Sequence, residues 1–439
     1  MTTEAIAREG AARRLPSPAL SVAILTIGCK LNQAESEAMA LELAAFGCTV
    51  TDRAGAADAV IINTCAVTHV ADRKARHLVR LARRLAPQAR IIVTGCYAET
   101  VEPAALSALG ADVVLGNDEK QQAATILLKG VGSCDAPVQS GRLRTRSFVK
   151  IQEGCNDVCA FCVVPRTRGR ERSVPAADII RTIRAVEASG VEEAVLTGTQ
   201  LGAYGRDLDE SGSLVSLLVR VLRETLIPRV RLSSVQPQDV TPALLELWRD
   251  PRLCRHFHVA LQSGSDAVLA RMRRRYTARE FAEALNAIGR RLPDVAITTD
   301  ILVGFPGETD GDFAATQRFC REAGFAALHV FPFSARPGTL AAKMPDQASA
   351  ATKRARVQEM LAVGEELRGR FLARFQGSVA DVLFEQKMRE NAWEGLTGNY
   401  IRVIAPSEES LENHIVAVRL DRQQGSGFRG ELWPATETS

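Results

Sequence analysis

The chain has 439 residues, 46% of them apolar and 24% charged, a globular composition with length for roughly two to four domains. Its net charge is only +4, so no global basic field points to nucleic acid, and any such site must come from local clusters. The ten Cys show metal-ligand spacings and no export signal precedes them, which argues against disulfides and for a cytoplasmic setting. The uncharged run from Leu15 to Cys29 contains Pro16 and Pro18 and is too short to span a bilayer, so no membrane partner is expected.

After an extension over 1–20, residues 21–28 read as a strand, and Asn32 to Phe46 as a helix that Gly47 is placed to end. Residues 59–64 are a second buried strand. A helix from about Thr68 to Leu85 carries an apolar stripe of Ala71, Ala75, Leu78, Ala82 and Leu85. Strands at 91–95 and 112–115 complete an alternation that predicts a parallel sheet covered on both faces, an α/β domain over 21–130. Residues 131–147, with Gly, Ser, Pro and Arg, read as a linker.

A longer alternation follows over 148–345. Strands are expected at 148–153, 192–198, 229–234, 256–262, 295–303 and 327–333. Helical patterns fall at 176–189, 213–225, 242–249, 266–273, 277–291 and 310–323. Six βα units with right-handed crossovers curl into an incomplete barrel; an open doubly wound sheet is the alternative. Either places chemistry beyond the carboxyl ends of the strands. Residues 346–375 read as a connecting helix. From 376 to 439 the texture turns to short strands at 378–384, 398–404 and 414–420, which predicts a small all-β barrel domain.

Cys155, Cys159 and Cys162 form C-x3-C-x2-C directly after a strand. Three thiolates hold three irons of a four-iron cube and leave the fourth open, which separates a reactive metal site from a structural one. A zinc site short of one ligand, or three buried thiols, are the bland alternatives. Cys29, Cys65 and Cys96 each follow a strand of the first sheet. Parallel strands bring those ends to one edge, so the three can converge as a second cluster site, although one such Cys alone is usually just a small buried residue. Cys48, Cys134, Cys254 and Cys320 read as packing residues, and His256 and His258 as barrel-lining groups.

The three-Cys motif, with Phe161 before its last Cys, resembles the radical SAM superfamily. The stretches GCKLNQAES (28–36), NTCAVTHVADRKAR (63–76), VTGCYAE (93–99), CNDVCAFCVVPRTRGRERS (155–173), LTGTQLGAYG (196–205), LQSGSD (261–266), DILVGFPGET (300–309) and HVFPFSARPGTLAAKM (329–344) together resemble the methylthiotransferases. Within them, GCKLN followed by NTCAVT looks like the branch acting on tRNA that carries N6-threonylcarbamoyladenosine. The resemblance implies C2 methylthiolation of that adenosine beside the anticodon, at tRNA position 37. It implies two [4Fe-4S] clusters, on Cys29, Cys65 and Cys96 and on Cys155, Cys159 and Cys162, and S-adenosylmethionine as radical source and methyl donor. Partners implied are the tRNA anticodon loop, an electron donor such as a flavodoxin-type protein, and a sulfur source. Related branches act on isopentenyladenosine or on a ribosomal-protein aspartate, and a non-catalytic metal-containing RNA-binding protein is a third class.

Phe161, Gly198, Ser233, Gln262 and Asp300 lie at or near strand ends where S-adenosylmethionine contacts are expected. For RNA, residues 142–172 hold eight Lys or Arg against three acids, and residues 268–291 seven Arg against Glu280 and Glu283. Charge runs are usually solvated faces, but Arg166, Arg168 and Arg170 stand nearest the cluster motif and are the candidates for phosphate contacts. The final segment resembles a TRAM module, yet carries six basic against ten acidic residues. Its RNA contacts would rest on Lys387, Arg389 and Arg402, with Tyr400 available for stacking.

Overall fold

The computed structural model describes residues 20–128, 145–208, 212–388 and 391–433. Most of the expected linker, with Cys134, Arg142 and Arg144, and also Arg389, lies outside them. The N-terminal part runs β1 (Ser21–Thr26), α1 (Lys30–Ala45), β2 (Thr49–Thr51), β3 (Ala59–Thr64), α2 (His69–Leu85), β4 (Arg90–Gly95), α3 (Pro103–Ser107), β5 (Val113–Val114) and α4 (Gln122–Leu128). Its five strands are all parallel, in the order β2-β1-β3-β4-β5. Every residue of β3 is buried. Alternate β3 side chains feed two cores: Val60 and Ile62 meet Val79 and Ala82 of α2, while Ile61 meets Met39 and Leu43 of α1. The α2 stripe is turned from the expected one. Asp72, Ala75, Val79 and Ala82 are buried, and Leu85 is 50% exposed.

The central part opens with β6 (Arg146–Lys150), so the strand takes the last two residues of the expected linker, then β7 (Gln152–Glu153), α5 (Val164–Thr167) and β8 (Arg172–Ser173). It continues through α6 (Ala176–Ala188), β9 (Glu193–Thr197), α7 (Leu214–Glu224), β10 (Arg229–Leu232), α8 (Pro242–Glu246), β11 (His256–His258) and α9 (Asp266–Arg271). The units α10 (Ala278–Arg291), β12 (Ala296–Val303), α11 (Asp310–Ala323) and β13 (Ala327–Pro332) complete it. Thr277 and Thr309 cap α10 and α11 through capping boxes. The six main strands stand in chain order as two parallel sheets, β6-β9-β10 and β11-β12-β13, joined by a bridge between Val230 and Leu253. That order never reverses, so the sheet is the partial barrel and not the doubly wound alternative. Among the described residues β6 and β13 do not pair, and the barrel is open on that side. β11 stops four residues earlier than expected. Beyond it the chain stays beside β12 through isolated bonds, and Gln262 sits at φ +70° with its N–H on the Asp300 carbonyl, 2.8 Å.

Helix α12 (Ala350–Ala373) leads to a closed barrel of β14 (Val379–Lys387), β15 (Ala392–Thr397), β16 (Arg402–Pro406), β17 (Ile415–Gln424) and β18 (Gly427–Leu432). Two of these five strands, β15 and β18, go beyond the expected three. Residues 398–400, expected inside a strand, form a turn with Tyr400 at φ +61°. This barrel docks on the amino ends of the central strands. Arg229 donates to the carbonyls of Asp381 and Leu396, and Arg231 to that of Gly398, at 2.7, 3.1 and 2.9 Å. Among the described residues no helix is long and apolar enough to cross a membrane.

Candidate active site

The antiparallel pair β7 and β8 ties together the two ends of the segment that holds Cys155, Cys159 and Cys162. Between them the chain is irregular, and all three Cys line one cavity of about 210 Å³ beyond the carboxyl ends of the strands. Cys155 Sγ lies 3.1 Å from Gln200 Oε1 and accepts the Asp157 backbone N–H at 3.4 Å. Arg274 donates to Cys159 Sγ at 3.3 Å. Burial pushes Cys155 up to about 11 and Cys162 up to about 12, so these thiols stay protonated unless a metal takes the proton's place. Three sulfurs on one cavity, supported by N–H donors, suit an iron–sulfur cluster better than a packed core.

Of the residues expected to meet S-adenosylmethionine, Phe161, Gln262 and Asp300 line this cavity. Gly198 and Ser233 do not. A Cβ on Gly198 would meet the Gln152 carbonyl at 2.8 Å, so its close approach serves the turn. The Gln152 side chain there receives the N–H groups of Thr199 and Gln200 at 3.1 and 2.9 Å. Ser233 Oγ is buried without a partner among the described residues, and the next residue, Ser234, faces the cavity instead. The sequence reading missed Gln200, Gln236 and Arg274. Arg274 belongs to the run read as an RNA patch, but the cavity claims it.

Asp300 is held by two imidazoles. His258 Nε2 lies 3.3 Å from one carboxylate oxygen and His329 Nδ1 3.2 Å from the other. Burial alone would raise this carboxyl, but the two rings hold it well below the usual carboxylate range. Asp300 is therefore an ionised acceptor in the wall of the cavity.

The second Cys set stands on the carboxyl edge of the N-terminal sheet. Cys29 is exposed, and Cys65 and Cys96 are buried. Gly28 has φ +124°, and a Cβ there would sit 2.8 Å from Cys65 Cβ and 3.3 Å from its sulfur. The first and second loops therefore touch only because residue 28 has no side chain. Burial pushes the Cys65 thiol up to about 11. Asn117 Nδ2 donates toward Cys96 Sγ at 3.8 Å and to the Thr167 carbonyl at 2.5 Å. This edge thus abuts α5, which follows Cys162 directly. Cys48, Cys254 and Cys320 are buried in packed cores.

The RNA candidates separate. Arg168 is buried and spent: it donates to Glu35 at 2.8 and 3.1 Å and to Asn32 Oδ1 at 2.5 Å. It clamps the central barrel to α1 and offers nothing to a phosphate, which corrects the sequence reading. Arg166 and Arg170 are exposed, and Arg166 bonds the Gly338 carbonyl at 3.2 Å. The run at 268–291 is largely consumed, with Arg271 on Asp312, Arg275 on Asp157, Arg279 on Glu283 and Arg291 on Glu246. In the C-terminal barrel Arg402 pairs with Glu394, and the Tyr400 ring lies under Arg231, 3.9 Å away, instead of facing solvent. A basic surface the sequence reading passed over is α2. Arg73, Lys74, Arg80 and Arg84 are exposed and make no ion pair among the described residues. The start of α2 meets the loop after β13, where Arg336 grips Asp72 at 2.8 and 3.1 Å. Its basic face therefore begins beside the strand ends that carry the cavity.

Comparison with known proteins agrees with this geometry. Residues 21–116 match the family described as Uncharacterized protein family UPF0004, and residues 149–320 match the Radical SAM superfamily. The threonylcarbamoyladenosine tRNA methylthiotransferase MtaB of Bacillus subtilis is 36% identical over 422 residues, 91% of this chain and 93% of its own. That of Thermotoga maritima is 36% identical, with 92% and 96% covered. A tRNA-2-methylthio-N(6)-dimethylallyladenosine synthase of Thermoanaerobacter is 31% identical, with 93% and 92% covered. Among solved structures, the radical S-adenosylmethionine methyltransferase TsrM of Kitasatospora setae shares the fold at TM-score 0.52 and 14% identity, over 72% of this chain and 75% of its own. With such relatives along nine-tenths of its length, the chain belongs to the radical SAM tRNA methylthiotransferase family and is an enzyme.

Proposed function

We propose that this enzyme converts the C2–H of N6-threonylcarbamoyladenosine, at position 37 beside the tRNA anticodon, to C2–SCH3. The observation that supports the reading is the contact between the segment after one three-thiol set and the domain that bears the other: Thr167 and Arg168, just past Cys162, bond to Asn117, Asn32 and Glu35 of the N-terminal domain, whose strand ends carry Cys29, Cys65 and Cys96. In this reading Cys155, Cys159 and Cys162 hold one [4Fe-4S] cluster and the other three Cys a second. The first cluster, when bound, supplies the electron that cleaves S-adenosylmethionine and so the radical that takes the C2 hydrogen, chemistry no side-chain base can do.

The chain's own residues bind, orient and shield. Gln200, Gln236 and Arg274 offer polar atoms around S-adenosylmethionine, and the ionised Asp300 accepts its hydrogen bonds. Phe161, edge-on to Phe305 with centroids 6.5 Å apart, gives the cavity an apolar wall that keeps water from a radical. The unpaired anticodon loop lets the target base leave its stack cheaply. A second S-adenosylmethionine gives the methyl group; the sulfur comes from a separate source and the electron from a flavodoxin-type donor. The all-β segment over 376–439 acts as a TRAM-like module, the segments 21–130 and 148–345 are its catalytic partners, and the setting is cytoplasmic.

The test is nucleoside analysis after anaerobic reaction of the cluster-loaded enzyme with tRNA carrying N6-threonylcarbamoyladenosine or isopentenyladenosine. Methylthiolation of the first substrate is expected. Conversion of isopentenyladenosine alone, or of neither tRNA, would overturn the reading.

A further inference from the structure

Behind the wall made by Asp300 and its two histidines lies a second cavity, of about 300 Å³, beside β13 at the free edge of the barrel. Lys30 reaches it from the start of α1, Arg368 from α12, and Tyr400 and Asn399 from the C-terminal barrel, and His256, His258, His329 and Thr298 complete its polar lining. Among the described residues no carboxylate lines it. Nearby cations are already neutralised: Arg231 on Glu193 at 2.6 and 3.0 Å, and Arg146 on Glu385 at 2.5 Å. Lys30 and Arg368 are different. Among the described residues neither makes an ion pair or a side-chain hydrogen bond, and Lys30 has only the Tyr400 ring, 5.9 Å from its Nζ.

His256 adds an independent observation. It is 2% exposed, its Nε2 is 3.0 Å from Thr298 Oγ1, and its Nδ1 has no partner among the described residues. Thr298 Oγ1 is also 2.9 Å from His258 Nδ1. The two rings thus share one hydroxyl, and His256 Nδ1 is left unmet in a dry wall, a polar atom of the kind that native proteins rarely leave without a partner.

We infer that this cavity receives the threonylcarbamoyl group of the target base, with Lys30 and Arg368 taking its carboxylate and His256 Nδ1 hydrogen-bonding its hydroxyl or ureido group. The inference rests on the substrate reading above and names the residues that make that substrate preferred. Asp300 joins the two sites, since it lines the first cavity while its histidines line the second. A dimethylallyl group offers neither a charge nor a hydrogen-bonding atom, and would bury two cations and a polar ring nitrogen without partners.

The test measures binding of the cluster-loaded full chain to one anticodon stem-loop RNA in four forms. These bear N6-threonylcarbamoyladenosine, its methyl ester, isopentenyladenosine or plain adenosine at the target position. The wild type is expected to prefer the free acid about tenfold or more over the ester and the other two, the usual size of a charge-assisted contact. Lys30→Gln and Arg368→Gln should each erase most of that preference, with affinity for the plain RNA as the check on folding. Arg368 stands on a helix that carries none of the cluster cysteines, so it decides the matter if Lys30→Gln disturbs its neighbour Cys29. Equal binding of acid and ester by an enzyme that still methylthiolates the acid would overturn the inference and leave the substrate reading intact. Conversion of isopentenyladenosine alone would overturn that reading, and the inference with it.

Discussion

Glu35 shows what a single buried side chain does here. Burial alone would raise its carboxyl, but the Arg168 hydrogen bonds and the Lys120 and Lys150 charges hold it down to about 2. Lys120 lies 2.6 Å away and Arg168 2.8 Å. Glu35→Gln leaves two buried cations short of their counter-charge, and should cost roughly 3–5 kcal/mol in chemical denaturation. Because the folded carboxyl titrates below its unfolded value near 4.5, the stabilisation is complete above that pH. It is lost as pH falls toward 2, so the wild type and the variant should converge in stability at the acid end. Equal stability of the two at neutral pH would remove the clamp from the account. The sequence points to Arg168 as an RNA contact because its charge and place are visible there and its partner, 133 residues away, is not. The position of Cys29, Cys65 and Cys96 at one edge is legible for the opposite reason, since strand ends in a parallel sheet share an edge whatever the side chains do, and Cys155, Cys159 and Cys162 are legible because their spacing is local.

At the scale of elements, the parallel strands and their helices are readable because strands buried on both faces are continuous apolar runs. The C-terminal barrel is only half legible. Strands β15 and β18 contain Gly395 and Gly427, which weaken the strand pattern. Yet a Cβ at either would collide with a carbonyl of the neighbouring strand, that of Leu383 or Arg402. The tight curvature of a five-stranded barrel demands the residue that hides the strand. Helix α2 stands where its pattern places it, but its buried face is slightly rotated from the predicted stripe, and its basic solvent face carries no motif to mark it. Replacing Arg73, Lys74, Arg80 and Arg84 with Gln should leave the fold intact and lower the log–log salt slope of tRNA binding. Every phosphate that these side chains neutralise contributes roughly 0.7–0.9 to that slope. Neutralising Arg166 and Arg170 should lower the slope further and independently. A slope that neither set changes would move the RNA surface elsewhere.

Across the whole molecule, three parts meet around the open side of one partial barrel. The N-terminal domain carries three Cys at the carboxyl ends of its strands and brings Lys30, the first residue of α1, to the second cavity. The C-terminal barrel closes the floor with Tyr400 among Arg231, Arg146 and His256. This explains how an acidic module can serve an RNA enzyme without supplying much basic surface. The division of labour between the two thiol sets is the centre of the account, and one preparation tests it. Cys29, Cys65 and Cys96 are all replaced by Ala, and iron per chain, 5′-deoxyadenosine and methylthiolated nucleoside are measured anaerobically. Iron should fall to about half of the wild-type content, S-adenosylmethionine cleavage should persist because Cys155, Cys159 and Cys162 are untouched, and methylthiolation should vanish. Methylthiolated nucleoside formed by this variant would contradict the two-cluster account, whatever its iron content.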